Sequence, residues 1–228
     1  MKASAIIVAA GSGSRLGRRE PKAFVALGGR TLLSWSLATI ARVPAIEEVV
    51  VAVPEGMESA TRRESSALQI PVKIRPGGVE RQDSVRLALA ITSALSELVI
   101  VHDAARPFAT VEMFEACLKA SERAGSAIAA VPVADTLKRV DDHRMIIATV
   151  PRASLWQAQT PQAFRRTLLV SAHERAVKEH LVATDDADLV ERMGGRVEIV
   201  ESTGFNLKIT TAADLELAQA VVNSRASG

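Results

Sequence analysis

The segment spanning residues 9–22 combines glycines and cations in a way that suits phosphate binding. Gly11, Gly13 and Gly17 follow an apolar run, and Arg15 and Lys22 lie in the same loop. Glycines let backbone N–H groups approach phosphate oxygens closely, and neighbouring cations neutralise several negative charges at once. A tight turn with solvated cations uses the same residue types, so the loop favours a triphosphate site without excluding a purely structural turn.

Two familiar phosphate-binding patterns do not describe this loop. Gly17 is one position late for the GxGxxG pattern of dinucleotide-binding folds, and no acidic residue ends the second predicted strand, where a ribose ligand belongs. The P-loop pattern fails because no GK[ST] is present. The remaining pattern, Ala-Ala-Gly-x-Gly-x-Arg closed by Pro21-Lys22, favours transfer of a nucleotidyl group from a triphosphate.

Apolar, β-branched runs alternate with segments of helical periodicity, which predicts a Rossmann-like α/β fold: a mostly parallel, twisted sheet with helices on both faces. The expected strands lie at residues 6–8, 49–53, 72–74, 98–101, 128–131 and 197–200. The expected helices lie at 31–41, 55–68, 80–95, 111–124, 165–179 and from 212 onwards. Ligands bind at the carboxyl ends of such strands, where the polar segments 10–22, 77–84 and 102–106 are predicted to lie.

The composition favours one globular domain over residues 1–228. Hydrophobic residues make up 48% of the chain, which is enough for a sizeable core. Aromatic residues reach only 3% and the net charge is +2, so we expect no nucleic-acid partner and no membrane partner. Cys117 is the single cysteine and no stretch is long enough to span a bilayer, so we expect a cytoplasmic protein.

Residues 135–162 interrupt the alternation. Two strand-like runs, 136–140 and 145–150, flank an Asp-Asp-His turn. A ribbon that leaves a compact domain exposes strand edges that favour pairing with another chain. We therefore predict an extended β-arm at about residues 135–155 that joins two copies of the chain in a homodimer.

Six further blocks of sequence follow the glycine-rich segment in a specific order. They are GGVERQDSV (77–85), HDAARP (102–107), PVADTLK (132–138), QTPQ (159–162), TDDA (184–187) and NLKIT (206–210). Together with AAGSGSRLGRREPK they resemble the 2-C-methyl-D-erythritol 4-phosphate cytidylyltransferase family of the non-mevalonate isoprenoid pathway. The resemblance covers about residues 6–218, nearly the whole chain.

The ribitol-5-phosphate cytidylyltransferases share the fold and several blocks. They tend to read AGG where this chain reads AAG (9–11), and they lack close counterparts of residues 135–138 and 151–156. One departure from the erythritol-phosphate family is Val79, which stands where some members carry an acidic residue near the base. A catalytically idle nucleotide-binding module is a further alternative, disfavoured by the joint presence of Arg15, Lys22, Arg152 and Lys208.

The resemblance implies a specific reaction. A phosphate oxygen of 2-C-methyl-D-erythritol 4-phosphate attacks the α-phosphorus of CTP, and pyrophosphate leaves. The attacking oxygen is already anionic, so catalysis consists of positioning and charge neutralisation, with Mg²⁺ on the triphosphate as the expected cofactor.

The resemblance also implies residue roles. Arg15 and Lys22 stabilise the transition state, and Lys208 and Arg152 position the acceptor phosphate, with Arg152 reaching in from the partner's arm. Asp103 lies near the acceptor hydroxyls and the metal, and whether it is a metal ligand stays open. The remaining substrate-binding residues are Ala9, Ala10, Gly11 and Gly13 for ribose and phosphates, Gly78 and Ser84 for the base, and Arg106, Thr136, Thr160 and Thr184 for the acceptor, with Thr136 also from the partner.

Some of these residues also have ordinary structural interpretations. Asp103 could cap the segment that follows its strand, and Lys208 could be an edge lysine of a strand-like run at 206–210. Arg18 and Arg19 match no block and are expected on the surface.

Overall fold

The computed structural model describes residues 1–11, 13–18 and 20–226. The strands are β1 (Ala3–Val8), β2 (Ala26–Leu27), β3 (Arg30–Thr31), β4 (Ile46–Val53), β5 (Val72–Pro76), β6 (Leu98–Asp103), β7 (Ser126–Pro132), β8 (Leu137–Val140), β9 (Ile146–Val150), β10 (Trp156–Arg165) and β11 (Glu198–Glu201). The helices are α1 (Leu32–Ile40), α2 (Glu58–Ser65), α3 (Arg81–Leu89), α4 (Val111–Ala124), α5 (Arg166–Lys178), α6 (Asp186–Arg192) and α7 (Ala212–Ala226). The predicted alternation of strands and helices is confirmed.

The central sheet has the strand order β11-β7-β10-β6-β1-β4-β5. β1 pairs in parallel with β4 and β6, β4 with β5, and β7 with β11. Only β10 in this sheet is antiparallel to its neighbours, β6 and β7. The predicted mostly parallel sheet is therefore confirmed, and the carboxyl ends of β1, β5 and β6 lie at one edge.

Both faces of the sheet are covered by helices, because strands buried on both sides need apolar partners on both sides. Ile7 packs in a core with Phe114 of α4, whereas its neighbour Ile6 packs in a second core with Val85 of α3. Each of these side chains is fully buried. Burial of a side chain of this size contributes about 2 kcal/mol.

Helix ends follow from local chemistry. The Thr31 side chain accepts the Ser34 N–H and caps α1. α3 ends at Leu89, short of the predicted 95. Cations of β5 bind carbonyl groups around its end: Arg75 donates to the Leu87 carbonyl at 2.7 Å and Lys73 to that of Ile91 at 2.9 Å.

Two expectations about the second half of the chain were wrong. Residues 156–162 belong to β10, which lies between β6 and β7, and not to an interruption of the fold. Its Gln-Thr-Pro-Gln sequence is polar, and a proline argues against a central strand, which is why the pattern missed it. Residues 206–210 form no strand; Ile209 N–H instead donates to the Ala105 carbonyl, which holds this irregular segment beside the end of β6.

The predicted ribbon is present as the antiparallel hairpin of β8 and β9, separate from the central sheet. Its large apolar side chains are strongly exposed, with 64% of Ile146 and 60% of Ile147 open to solvent. Across the described parts of the chain, no helix combines the length and apolar character needed to cross a membrane.

Candidate active site

A cavity of about 370 Å³ opens at the carboxyl edge of the sheet, where the segments after β1, β5 and β6 converge. Backbone atoms and small side chains form much of its wall, and two lysines supply charge. Among the residues that line it are Ala9, Ala10, Gly11, Lys22, Gly78, Val79, Arg81, Ser84, Asp103 and Lys208.

A second cavity of about 240 Å³ lies beside the first and is lined by more polar side chains. Its lining includes Arg81, Asp103, Arg106, Gln159, Thr160, Gln162, Thr184, Asp185 and Lys208. Arg81, Asp103 and Lys208 line both cavities, and we call these three residues the shared wall. Two ligands bound in the two cavities would meet at this wall.

Asp103 is the centre of the shared wall. Its carboxylate accepts a hydrogen bond from Lys208 Nζ at 2.7 Å on Oδ2 and from Arg81 Nε at 3.1 Å on Oδ1. Burial alone would raise the pKa of the Asp103 carboxyl, but the charges of Arg81 and Lys208 outweigh that effect and hold the pKa well below its usual range. Asp103 is therefore an anion held between two cations.

A buried hydrogen-bond chain fixes the backbone around Asp103. The Asp103 N–H donates to Thr160 Oγ1 at 3.0 Å, and Thr160 Oγ1 lies 3.0 Å from His102 Nδ1. His102 Nε2 lies 3.2 Å from the Arg106 carbonyl, which can only accept. His102 Nε2 therefore carries a proton, and in the neutral ring Nδ1 accepts a hydrogen bond from Thr160. Burial lowers the pKa of His102 to about 4, in keeping with this assignment.

Lys22 reaches the first cavity from a 3₁₀ turn that follows Pro21. Burial and the nearby charge of Lys208 lower its pKa to about 8, while Asp103 opposes the shift. Gly13 has a φ of 70°, and a Cβ there would lie 2.7 Å from Lys22 Cβ. The glycine therefore permits the close approach of the loop to the lysine.

The family model described as IspD, 2-C-methyl-D-erythritol 4-phosphate cytidylyltransferase, matches residues 3–224. The chain belongs to the 2-C-methyl-D-erythritol 4-phosphate cytidylyltransferase family. Proteins of that name from Syntrophotalea carbinolica and Deinococcus radiodurans are 43% and 46% identical to it. The matches cover 98% and 96% of this chain and 97% and 89% of those proteins.

Solved structures of the family have the same fold. The 2-C-methyl-D-erythritol 4-phosphate cytidylyltransferase from Thermus thermophilus matches with a TM-score of 0.82 at 38% identity, over 98% of this chain and 100% of its own. The 4-diphosphocytidyl-2C-methyl-D-erythritol synthase from Anaerococcus prevotii matches with a TM-score of 0.87 at 31% identity, over 97% and 98%. The predicted resemblance and nucleotidyltransferase fold are confirmed, and the chain is an enzyme of the nucleotidyltransferase class.

The structure brings most of the predicted family residues to the two cavities. Ala9, Ala10, Gly11, Lys22, Gly78 and Ser84 line the first, Arg106, Thr160 and Thr184 the second, and Asp103 and Lys208 both. In the described part of the chain, the lining of these cavities includes neither Gly13, Arg15, Thr136 nor Arg152.

The predicted residues outside the lining fall into two groups. Gly13 and Arg15 belong to the glycine-rich loop, and the Arg15 charge still acts on Lys22. Thr136 and Arg152 lie on exposed chain at the base of the arm, where Arg152 donates to the Ala134 carbonyl. Arg18 is exposed as expected, while Arg19 lies outside the described residues.

Sequence reasoning missed Arg81 and His102 as site residues. Arg81 lies inside the block at 77–85, in which the resemblance implied roles only for Gly78 and Ser84. Its carboxylate partners, Asp103 and Asp186, are 22 and 105 positions away, so no local spacing signals the contact. His102 has no metal-ligand spacing, and its role depends on Thr160 from a strand far along the chain.

Asp103 is the residue of the shared wall whose chemistry suits Mg²⁺, since carboxylate and phosphate oxygens are its preferred ligands. Both Asp103 oxygens are held by Lys208 and Arg81. An arriving ion would share these oxygens with two cations and be repelled by both. The site therefore suits an ion that arrives with the triphosphate and is held mainly by its phosphates. It suits less well an ion that stays bound to the free protein.

Proposed function

We propose that the chain transfers CMP from CTP to 2-C-methyl-D-erythritol 4-phosphate, which yields 4-diphosphocytidyl-2-C-methyl-D-erythritol and pyrophosphate for isoprenoid precursor synthesis. The observation that carries the proposal is the pair of cavities separated by the shared wall. A donor and an acceptor that occupy them meet at Lys208 and Asp103, as a direct transfer between two bound substrates requires. Family membership supports the choice of substrates.

The first cavity suits CTP. Backbone groups of residues 9–11 approach phosphates and ribose without steric hindrance, and Lys22 supplies charge. Gly78 N–H donates to Ser84 Oγ at 3.1 Å, which fixes the loop that would face the base. Val79 is 96% exposed and has no polar side chain, so base choice would rest on backbone carbonyl groups.

The second cavity suits a phosphorylated polyol. Arg106, Lys208 and Arg81 provide positive charge for its phosphate, and the Thr160 and Thr184 hydroxyl groups can bind polyol hydroxyls. Lys208 lies at the boundary of the cavities, so it can hold the acceptor phosphate oxygen against the α-phosphorus. Positioning of this kind replaces general-base catalysis because the nucleophile is already ionised.

Charge neutralisation would complete the mechanism. Lys22 and Arg15 bind the triphosphate as charge builds on the leaving pyrophosphate, and Lys208 compensates the approach of two polyanions. Mg²⁺ bound with the triphosphate would supply further charge neutralisation. The burial that lowers the pKa of Lys22 also strengthens its interaction with phosphate, because less water screens the pair.

We also propose that the active form is a cytoplasmic homodimer, with one domain per chain and the arm at about residues 135–155 as its contact. The hairpin presents exposed Leu137, Val140, Met145, Ile146 and Ile147, an apolar surface that a second copy would cover. Its unpaired edges favour the same association. A partner's arm would bring Thr136 and Arg152 to the acceptor cavity.

The assay that tests the function combines the protein with Mg²⁺, one of the four nucleoside triphosphates and 2-C-methyl-D-erythritol 4-phosphate, and follows pyrophosphate. We expect release with CTP and much less with the other three. No release with CTP would refute the proposal. Equal pyrophosphate release when ribitol 5-phosphate replaces 2-C-methyl-D-erythritol 4-phosphate would favour ribitol 5-phosphate as the acceptor. Removal of Mg²⁺ by EDTA should abolish turnover.

A further inference from the structure

Arg81 of the shared wall is held by two buried carboxylates from distant parts of the chain. Its Nε donates to Asp103 Oδ1 at 3.1 Å, and its Nη1 donates to Asp186 Oδ2 at 2.8 Å. Asp186 is 1% exposed, so its charge has little contact with water. A guanidinium held at two points has one orientation, since its donors form a rigid planar fork.

Asp186 is itself oriented by a second buried residue. Its Oδ1 lies 3.1 Å from His173 Nε2, and His173 belongs to α5 on the side of the sheet away from Phe114. Burial alone would raise the pKa of Asp186, but Arg81 and the hydrogen bond from His173 lower it, so the residue is anionic. Within the described residues, neither Asp186 nor His173 lines the two cavities. Asp186 does contact a lining residue directly, through its ion pair with Arg81.

The geometry points to Asp186 and His173 as positioning residues that keep Arg81 on a single oxygen of Asp103 and so leave the other oxygen to Lys208. Arg81 Nη1 is engaged by Asp186, which fixes the orientation of the guanidinium, and among the described residues Nη2, the donor on the same edge as Nε, is buried without a hydrogen-bond partner. Side-by-side binding of both Asp103 oxygens, the preferred mode with one carboxylate, would require the guanidinium to turn until Nη2 reaches Oδ2. Without Asp186 the guanidinium would turn onto Asp103 and displace Lys208. The acceptor phosphate would then lose the ammonium group that positions it.

This inference rests on the proposed function for its kinetic prediction. Asp186→Asn keeps the size of the side chain but removes its charge. We expect kcat/KM for 2-C-methyl-D-erythritol 4-phosphate to fall by about 10- to 100-fold, as for partners that orient a functional group, while the Kd of CTP changes by less than about threefold. A structural role at the start of α6 would disturb Thr184 and Asp185 of the acceptor cavity independently of Arg81, and a double-mutant cycle distinguishes the two.

The matched control is Glu179→Gln, which breaks an exposed ion pair with Arg175 beside the end of α5. It should leave both kinetic quantities unchanged. Arg81→Lys provides a second variant in case Asp186→Asn folds poorly, because the single nitrogen of a lysine cannot reproduce the contacts that Arg81 makes through two separate nitrogens. It should show the same acceptor-specific loss.

A double-mutant cycle decides between action through Arg81 and independent effects. If Asp186 acts through Arg81, adding Asp186→Asn to Arg81→Lys lowers kcat/KM by less than about threefold more. If the losses of kcat/KM caused by the two substitutions multiply in the double variant, the inference is overturned.

A crystal structure of Asp186→Asn tests the inference without any activity. We expect Arg81 on both Asp103 oxygens and Lys208 released. An unchanged Asp103–Lys208 contact would refute it. If the wild-type enzyme does not use CTP and 2-C-methyl-D-erythritol 4-phosphate, the proposed function fails, whereas this structure still tests the positioning of Arg81.

Discussion

Lys22 shows how burial tunes one residue for phosphate chemistry. Its amine lies in a partly dry cavity with Lys208 and Arg15 nearby, and both effects disfavour the charged form. Asp103 opposes them. An arriving triphosphate would reverse the balance, because its negative charges favour the ammonium form. At the residue scale, the free enzyme therefore holds a lysine whose charge depends on pH in an accessible range.

Removal of Lys22 should have a large effect on turnover. We expect Lys22→Ala to lower kcat by roughly 100-fold or more, since it removes a charge that stabilises the transition state in a buried site. Arg18→Ala is the control, because Arg18 lies exposed in the same loop. Steady-state pyrophosphate release measures both. An unchanged rate for Lys22→Ala would exclude the lysine from the mechanism.

The pH dependence follows from the same group. The pKa of Lys22 is lowered to about 8, so kcat/KM for CTP should decline as pH rises through this value and the amine loses its charge. The decline should be absent in Lys22→Ala, which has only residual activity. A wild-type profile that stays level to about pH 9.5 would contradict the assignment.

His102 should make stability depend on pH on the acidic side. The folded state holds its pKa at about 4 against 6.5 in the unfolded chain, so the unfolded state binds the extra proton as pH falls between these values. The free energy of unfolding should then drop by about 3 kcal/mol from pH 6.5 to pH 4.

Urea unfolding at several pH values measures the effect of His102. His102→Gln should flatten the dependence, whereas His143→Asn, at an exposed position in the turn of the arm, should retain it. Equal slopes for the wild type and His102→Gln would show that His102 is not held neutral in the core.

At the scale of elements, the glycine-rich loop is shaped by contact with the turn that carries Lys22. The backbone of Gly13 is left-handed, and Lys22 Cβ occupies the space of a side chain at position 13. We expect Gly13→Ala to lower kcat/KM for CTP by tenfold or more, since the added methyl group must displace the lysine. Direct CTP binding and turnover measure this.

Gly29→Ala is the matched control for the loop. Gly29 has a similar φ of 76°, but a Cβ there meets nothing within 4 Å. The variant therefore carries the backbone strain, about 1 kcal/mol of stability, without the contact. If both variants lose activity equally, strain and not displacement of Lys22 would explain the result.

The elements also show where sequence patterns succeed. The sequences of β1 and β6 are continuous apolar runs because helices cover both faces of the sheet. Strands of this kind can be predicted from the sequence. β10 was not predicted because its buried QTPQ stretch consists of polar side chains that are paired by hydrogen bonds. Thr160 binds His102, and Gln162 donates to Asp185 at 2.8 Å. Buried polar residues that are paired by hydrogen bonds do not produce the hydrophobic periodicity from which strands are predicted.

At the scale of the whole molecule, the proposed dimer makes each site depend on two chains. If the partner's Arg152 completes the acceptor cavity, subunits of Lys22→Ala and Arg152→Ala, each nearly inactive alone, should restore activity when mixed and allowed to exchange. Half of the dimers would be mixed and one of their two sites would be complete, so about a quarter of wild-type activity is expected.

Light scattering on the same mixtures reports whether dimers form. Mixing Lys22→Ala with Lys208→Ala provides the control. Both residues would serve the same chain's site, so no complementation is expected. If the first mixture regains no activity, the proposed exchange of arms is contradicted. Full activity of a monomeric variant with Ile146→Asp and Ile147→Asp would contradict it as well.

The sequence by itself determined the alternation of strands and helices, the glycine-rich loop and the family, because these depend on neighbours within a few residues or on ordered blocks. Only the tertiary structure decided that Arg81 links Asp103 to Asp186, that His102 is neutral beneath Thr160, and that two cavities share a wall. Those contacts join positions from 22 to 105 residues apart. Distances of that kind are set by the sheet, which brings strand ends together whatever their separation in the chain.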